Sequence, residues 1–114
     1  MEEWIREYYD ERWGQKLLIG KGGFIVYSIR GTQFYFNEFH IGQKFRKSLD
    51  AFVELMDSAR KIAFDAGCLT LGAHVPLNAH NATQVVRNNL KYGFRIVGHD
   101  ANGLGMIKEL ILHG

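Results

Sequence analysis

Three cationic side chains stand close together between a strand-like run and a helix-like run of the sequence: Lys44, Arg46 and Lys47. The strand-like run ends at Ile41, and the helical spacing of apolar residues begins at Ser48. The first N–H groups of a helix have no carbonyl partner and form a natural anion site. The segment therefore predicts a site for a phosphate-type anion. A solvated basic loop is the alternative.

Leu49 stands where a phosphate-binding turn favours glycine, because glycine lets the anion approach the backbone closely. Leu49 is in helical register with Phe52, Val53 and Met56. This register predicts that Leu49 packs inward as a first-turn core residue and leaves the N–H groups free. Asp50 stabilises a helix start but repels a diphosphate, and the three cations outnumber it.

Two titratable residues near the end of the same strand-like run, Glu38 and His40, are the candidate general bases. Strand alternation places both on one face with Phe34 and Phe36. Histidine titrates near neutral pH without help, whereas glutamate needs burial to do so. The alternative is an ordinary polar pair on a partly wet sheet face. The other face would carry Tyr35, Asn37, Phe39 and Ile41.

The remaining histidines and the single cysteine show no comparable pattern. Cys68 begins an apolar run without an activating base nearby, so a nucleophilic role is not predicted. Four histidines lack metal-ligand spacing and are predicted at the surface or the core edge: His74, His80, His99 and His113. We therefore predict no metal site.

Length and composition predict a single compact domain over residues 1–114, with 46% hydrophobic residues. The net charge of +2 lacks the clustering of a dedicated nucleic-acid binder. No apolar run approaches the roughly 18 residues of a membrane span, and the acidic start is not a signal peptide. A lone cysteine fits a reducing compartment. These features predict a soluble cytoplasmic protein.

The elements that position the candidate residues follow from periodicity. Aromatic and aliphatic residues at helical spacing predict a helix over "EEWIREYYDERW", ended by Gly14. Three β-type runs separated by glycine-containing turns predict an antiparallel meander: "KLLIG", "FIVYSIR" and "TQFYFNEFHI".

Two further helices have recognisable ends. The first is predicted from Ser48, as N-cap, to Gly67. The second is predicted to open with a capping box formed by Asn81 and Gln84 and to end at Gly93. Between and after the helices, three runs predict strands, the last two joined by a hairpin across Asn102-Gly103: "CLTLGAHV", "FRIVGH" and "GMIKELIL".

This order of elements, and the short sequence motifs at the connections between them, resemble the GNAT family of acyl-CoA N-acyltransferases over about residues 15–112. The family's cofactor motif runs from a strand-end valine or isoleucine to Arg or Gln, and then to Gly-x-Gly/Ala. Ile41, Arg46, Leu49 and Ala51 stand in these places. The segment "NATQVVRNNLKYGFRIVG", beginning at Asn81, is similar to the family's Asn…Gly-Phe segment.

The resemblance implies an α+β, GNAT-like fold with a mixed central sheet flanked by helices. The fold would be N-terminally shortened, because only one helix precedes the meander. It also implies transfer of an acetyl group from acetyl-CoA to an unknown amine acceptor, with Glu38 or His40 as base, directly or through water. The implied cofactor-binding residues are Ile41, Arg46, Lys47, Ser48, Leu49, Ala51 and Asn81.

Two departures keep a second function open. Many members carry a tyrosine four residues before the Gly-Phe glycine, where it protonates the leaving thiolate; that position here is Asn89, and Tyr92 is expected to point elsewhere. The chain is also similar to GNAT-like internal virion proteins of tailed phages, which lack an assigned transferase reaction. The alternatives are an acetyltransferase and a non-catalytic structural or interaction module, located in the virion if phage-encoded. Aromatic residues of the first helix could form a homodimer contact.

Overall fold

The computed structural model describes Glu3, Trp4, Glu7 and residues 14–78 and 81–110. The three isolated positions are helical, and the rest of the predicted first helix lies outside the described residues, as do His80 and His113. The described strands are β1 Lys16–Ile19, β2 Gly23–Arg30, β3 Gln33–Ile41, β4 Thr70–Pro76, β5 Arg95–His99 and β6 Gly103–Glu109. The described full helices are α1 Asp50–Asp65 and α2 Ala82–Tyr92.

The strands form one mixed sheet in the order β1-β2-β3-β4-β6-β5. β1, β2 and β3 are the predicted antiparallel meander. β3 and β4 run parallel, β4 pairs antiparallel with β6, and β6 pairs antiparallel with β5. The α+β class predicted from the sequence is therefore confirmed. Neither described helix is both long and apolar enough to cross a membrane.

Both helices pack on one face of the sheet, where they bury a shared apolar core. In α1 the buried side chains follow the 3.6-residue period expected of an amphipathic helix. α2 ends at Gly93, whose φ of 113° lies in the left-handed region that favours glycine. The largest fully buried side chains are Phe34, Ile25, Leu55, Met56, Leu71, Met106 and Val26.

The predicted side-chain caps at both helix starts are wrong. α1 begins at Asp50 with Leu49 as its N-cap, and the Ser48 hydroxyl accepts a hydrogen bond only from the Asp50 N–H, at 3.3 Å. The Asn81 side chain makes no cap hydrogen bond, since its backbone (φ −104°, ψ 15°) is not in the extended conformation that capping prefers. Gln84 instead donates to the Asn88 side chain at 2.8 Å.

A β-bulge interrupts β3 at Asn37. Tyr27 of β2 pairs with Phe36, whereas the preceding Val26 pairs with Glu38, so Asn37 is the extra residue. The Asn37 amide donates to the Ser28 hydroxyl at 3.2 Å. Because one residue is inserted, the alternation of side chains between the two sheet faces shifts after this point.

The bulge corrects the predicted faces of β3. Phe39 and Ile41 join Phe34 and Phe36 on the helix-covered face. Glu38 and His40 lie on the opposite face and are exposed. The prediction that Glu38 and His40 share a face with Phe34 and Phe36 is therefore wrong, because simple alternation does not anticipate an inserted residue.

β3 and β4 are paired over only part of their length. Their register runs from Gln33 opposite Thr70 to Phe36 opposite Ala73 and stops there. β3 continues to Ile41 and β4 continues to Pro76, but these later residues do not pair with each other. The two parallel strands therefore separate at their carboxyl ends, immediately after the bulge.

Candidate functional site

Two helix starts lie at the separated end of β3 and β4. α1 follows β3 after the segment 42–49, and α2 follows β4 after the segment 77–81. Because each helix follows the carboxyl end of a strand, both N-termini are at this end of the sheet, where helix dipoles favour an anion. Asn81, at the start of α2, is thus placed at the same end as Ile41 and Ala51.

The segment between β3 and α1 is a compact turn that packs on the β1–β2 connection. The Gly42 N–H donates to the Gly22 carbonyl at 2.7 Å, and the Phe45 N–H donates to the Gly42 carbonyl at 2.8 Å. A Cβ on Gly22 would lie 2.8 Å from Phe45 Cγ and 2.9 Å from the Ala51 Cβ. Gly22 is therefore needed for this close approach, which the sequence pattern did not identify.

The predicted cationic residues surround this turn. Lys44, Arg46 and Lys47 are all exposed. The Arg46 Nε donates to the Ile41 carbonyl at 2.8 Å, so this side chain ties the turn to the end of β3. Within residues 14–78 and 81–110, its terminal nitrogens have no hydrogen-bond partner. In the first turn of α1, the N–H groups of Ala51 and Phe52 precede any intrahelical acceptor. Cations and N–H donors for an anion therefore meet at one place.

Leu49 does not pack inward, contrary to the prediction. It precedes the helix, and its side chain is 37% exposed. Val53, one turn later on the same side, is 38% exposed. The reason is that α1 begins at Asp50 and turns Phe52, Leu55 and Met56 toward the sheet. The leucine in the glycine position is thus at the surface of the turn between β3 and α1.

A row of aromatic rings leads from β3 to α2. Phe36 and Phe39 are 6.2 Å apart between ring centroids, Phe39 and Phe52 are 5.4 Å apart, and Phe52 and Tyr92 are 6.0 Å apart. The Tyr92 hydroxyl donates to the Asp57 carboxylate at 2.6 Å. Burial raises the pKa of Tyr92, and Asp57 raises it further. Tyr92 therefore points to α1, as expected from its place beside Gly93.

Asn89 occupies the position expected of a thiolate-protonating tyrosine. Its side chain is only 5% exposed, and its amide donates to the Met106 sulfur at 3.7 Å. Its backbone carbonyl accepts from Gly93 and Phe94. Asn89 is consequently a core residue that terminates α2, and it offers no exchangeable hydroxyl proton.

The opposite face of the sheet carries the titratable residues. Glu38 and His40 extend from β3, where the His40 ring lies 5.6 Å from the Phe24 ring. On β4, His74 Nε2 lies 3.5 Å from Asp100 Oδ1. The N–H groups of Asn102 and Gly103, with a smaller contribution from His74, lower the pKa of Asp100.

Sequence reasoning placed His74 at the surface or the core edge and missed its pairing with Asp100. The available signal was the hairpin itself, because an aspartate two residues before Asn102-Gly103 caps such a turn with its carboxylate. The Asp100 carboxylate does accept from Asn102 at 2.7 Å and from Gly103 at 2.9 Å.

Two simpler chemistries lack support at the described residues. No group of three or more His, Cys, Asp or Glu side chains among residues 14–78 and 81–110 could hold a metal ion. Cys68 is buried, and burial raises the pKa of its thiol, which disfavours the reactive thiolate.

The parted parallel strands, with a helix starting beside each, match the fold of GNAT acyl-CoA N-acyltransferases. An aminoglycoside 6'-acetyltransferase type Ii superposes with a TM-score of 0.72 at 17% identity, covering 95% of this chain and 78% of its own. PaiA N-acetyltransferase from Thermoplasma acidophilum, in complex with coenzyme A, gives 0.67 at 19% identity, covering 95% and 76%.

A shorter protein shares the fold. The anti-CRISPR protein AcrVA5 gives a TM-score of 0.66 at 17% identity, covering 82% of this chain and 96% of its own. No protein-family model matches the sequence, and no curated protein matches it significantly. The similarity therefore defines the fold.

Proposed function

We propose that this chain is a GNAT-family N-acyltransferase that transfers an acetyl group from acetyl-CoA to an amine. The observation that carries the proposal is the separation of β3 and β4 after Phe36 and Ala73, with the N-terminus of α1 at the open end. This arrangement offers a slot between strands for an extended thioester and an anion site for a diphosphate. Neighbours of the same fold bound to coenzyme A support it.

The residues of the turn fit a diphosphate. The N–H groups of Ala51 and Phe52 supply donors, and Lys44, Lys47 and the outer nitrogens of Arg46 supply positive charge. Ile41 and Ser48 line the turn, Leu49 covers part of its surface, and Asn81 marks the opposite helix start. Charge-assisted hydrogen bonds of this type are roughly twice as strong as neutral ones.

Acetyl-CoA would supply an activated acyl group as a thioester. On the β4 side of β3, the backbone N–H groups of residues 37–41 have no strand partner, and such N–H groups can donate to an acyl carbonyl oxygen in the slot and polarise it. The acceptor amine must lose a proton during the transfer. Glu38 and His40 lie on the exposed face beside the slot and are the bases predicted from the sequence.

Titration calorimetry with coenzyme A tests the site. The double variant Arg46→Ala/Lys47→Ala should weaken binding by about 1 kcal/mol or more, since hydrogen bonds to charged groups contribute roughly 1.5–3 kcal/mol each. The control Arg60→Ala/Lys61→Ala removes the same charge from the exposed side of α1 and should leave affinity within twofold. Equal weakening by both variants would show non-specific electrostatics.

A second function, a non-catalytic structural or interaction module, is favoured by two specific observations. Leu49 is exposed in the glycine position, and Asn89 is buried in the tyrosine position. This function, which includes a virion protein of phage origin, predicts no heat of binding with coenzyme A at millimolar concentration. That result would overturn the enzyme proposal.

A further inference from the structure

We propose that His74, oriented by Asp100, is the group that accepts the proton of the acceptor amine. The inference rests on the proposed acyl transfer and deepens it by naming a base on β4, whereas the bases predicted from the sequence are both on β3. It stands on three observations: the position of His74 at the start of the gap, the carboxylate beside its ring, and the lack of such a partner, among the described residues, at Glu38 and His40.

His74 is the first residue of β4 beyond the paired part of β3 and β4. Pairing ends with Phe36 opposite Ala73. Ala73 packs against the helix-covered core, so alternation turns His74 to the opposite face. Glu38 and His40 reach that same face from β3. His74 therefore stands where the slot begins, on the side from which an amine can approach the acyl group held between the strands.

Asp100 is held rigidly beside the imidazole. Its Oδ1 accepts the N–H groups of Asn102 and Gly103 and lies 3.5 Å from His74 Nε2. Gly103 makes room for the ring, because a Cβ there would lie 2.9 Å from His74 Cε1. With Nε2–H directed to the carboxylate, the lone pair of Nδ1 is the proton acceptor. The carboxylate also stabilises the imidazolium that forms.

The other two candidates lack this support. Within residues 14–78 and 81–110, neither Glu38 nor His40 has a side-chain hydrogen bond or ion pair, and His40 contacts the Phe24 ring. Among the described residues, the titratable group in contact with His74 is Asp100 on the β5–β6 turn, and Glu38 and His40 lie on the same face of the sheet on β3. On β6 the residues against it are Gly103 and Gly105, which carry no charge.

The proposed step balances. The amine nitrogen forms a bond to the acyl carbon, the carbon–sulfur bond breaks, and its electron pair leaves with sulfur. The nitrogen, which attacks as a neutral amine after its ammonium form has released a proton to solvent, loses one proton to His74 Nδ1, directly or through one water. The imidazolium then releases that proton to solvent, and the thiolate takes one from solvent.

The test compares His74→Gln and Asp100→Asn with His99→Gln, an exposed histidine on β5, as the control. In His74→Gln the new amide can still donate to Asp100 but cannot accept a proton, and in Asp100→Asn the new amide oxygen can still accept the two turn N–H groups. Thiol release is measured with acetyl-CoA and either spermidine or a lysine peptide, across pH. Melting temperature and coenzyme A affinity are measured on the same samples.

We expect His74→Gln to lower kcat about 10²-fold or more, with unchanged affinity for coenzyme A. Its rate should lose the low-pH limb. Asp100→Asn should also lower kcat with unchanged affinity for coenzyme A, because the imidazole loses the carboxylate that orients it. His99→Gln should behave as the unmodified protein. A purely structural role of His74 would not remove the low-pH limb of the rate profile.

If the unmodified protein is active and His74→Gln leaves the rate and the pH profile unchanged, the inference about His74 is overturned and the proposed function stands. An active protein whose low-pH limb is removed by Glu38→Gln or His40→Asn instead has the same consequence. Should the His74→Gln variant fail to fold, an Asp100→Asn variant with the kcat of the unmodified protein overturns the inference. Coenzyme A binding without transfer to either amine overturns it and leaves the coenzyme A site in place. Absence of both binding and transfer overturns the proposed function as well.

Discussion

β4 has a different relation to its neighbour at each edge. Toward β6 its register continues over seven pairs, from Thr70 opposite Glu109 to Pro76 opposite Gly103. Toward β3 the register covers four pairs and then stops. β4 is thus fully paired along its edge with β6 and only partly paired along its edge with β3. The continuous pairing with β6 therefore holds β4 in place at the end where its pairing with β3 has stopped.

The two edges differ because of local sequence. At the β6 edge, a Cβ on Gly103 would lie 2.1 Å from the Val75 carbonyl oxygen, so glycine permits the two backbones to approach closely. At the β3 edge, pairing ends at Phe36, next to the bulge at Asn37, and a bulge bends and twists the strand that carries it. Glycine therefore closes one edge, and an inserted residue opens the other.

Breaking the continuous edge should have the largest effect. We expect Gly103→Ala to destabilise the protein by about 1–3 kcal/mol, because the carbonyl oxygen in its way belongs to the backbone and cannot rotate aside. Denaturant unfolding measures the change. Gly98→Ala is the matched control, since nothing lies within 4 Å of the added Cβ on β5. Equal costs for the two variants would contradict the account of this edge.

Changing the open edge should alter binding more than stability. Because Leu49 is exposed and precedes α1, Leu49→Gly should cost less than about 1 kcal/mol of stability. Access to the N–H groups should improve, and we expect coenzyme A affinity to rise up to about tenfold, or ~1.4 kcal/mol. Val53→Ala, at a neighbouring exposed position, is the control. Unchanged affinity in Leu49→Gly would mean that its side chain blocks nothing.

The smallest effect concerns the hydrogen bond that links the two helices covering the sheet. Tyr92 of α2 donates to Asp57 of α1, and its pKa is raised in the folded state. The contribution of Tyr92 to the free energy of unfolding is therefore fully present below about pH 10, the ordinary tyrosine pKa. It is lost as pH rises further, because the tyrosine of the unfolded chain ionises first.

Tyr92→Phe should cost about 1 kcal/mol at pH 8 and should reduce the loss of stability between pH 9 and 11. Urea unfolding at several pH values measures both quantities. Tyr35→Phe, on the opposite face, should keep the slope of the unmodified protein. A Tyr92→Phe protein with that same slope would show that Tyr92 is not the titrating group.

Periodicity predicted the strands, the two described full helices, the hairpin at Asn102-Gly103 and the terminating glycines, because these depend on local pattern. It did not predict the bulge at Asn37, which arises from register with β2, and so it placed Glu38 and His40 on the wrong face. It placed Leu49 inside, because a shift of the helix start to Asp50 changes which side of the turn is covered.

Only part of the candidate site could be predicted, because sequence patterns report on residues that are close together in the chain. Residues from Ile41 to Ala51 are consecutive, so their proximity follows from the chain itself. The pairing of His74 with Asp100 joins a strand to a turn that lies beyond the next helix and strand, and only the β4–β6 register brings them together. Long-range pairs of this kind leave no periodic signal.

The hydrogen bond from Arg46 to the Ile41 carbonyl has a thermodynamic consequence. It ties the middle of the segment between β3 and α1 back to the last residue of β3. Part of the rotational freedom of this guanidinium arm is then lost during folding. A diphosphate bound at this turn, as proposed above, would therefore immobilise less of the Arg46 side chain than it would for a freely rotating arginine.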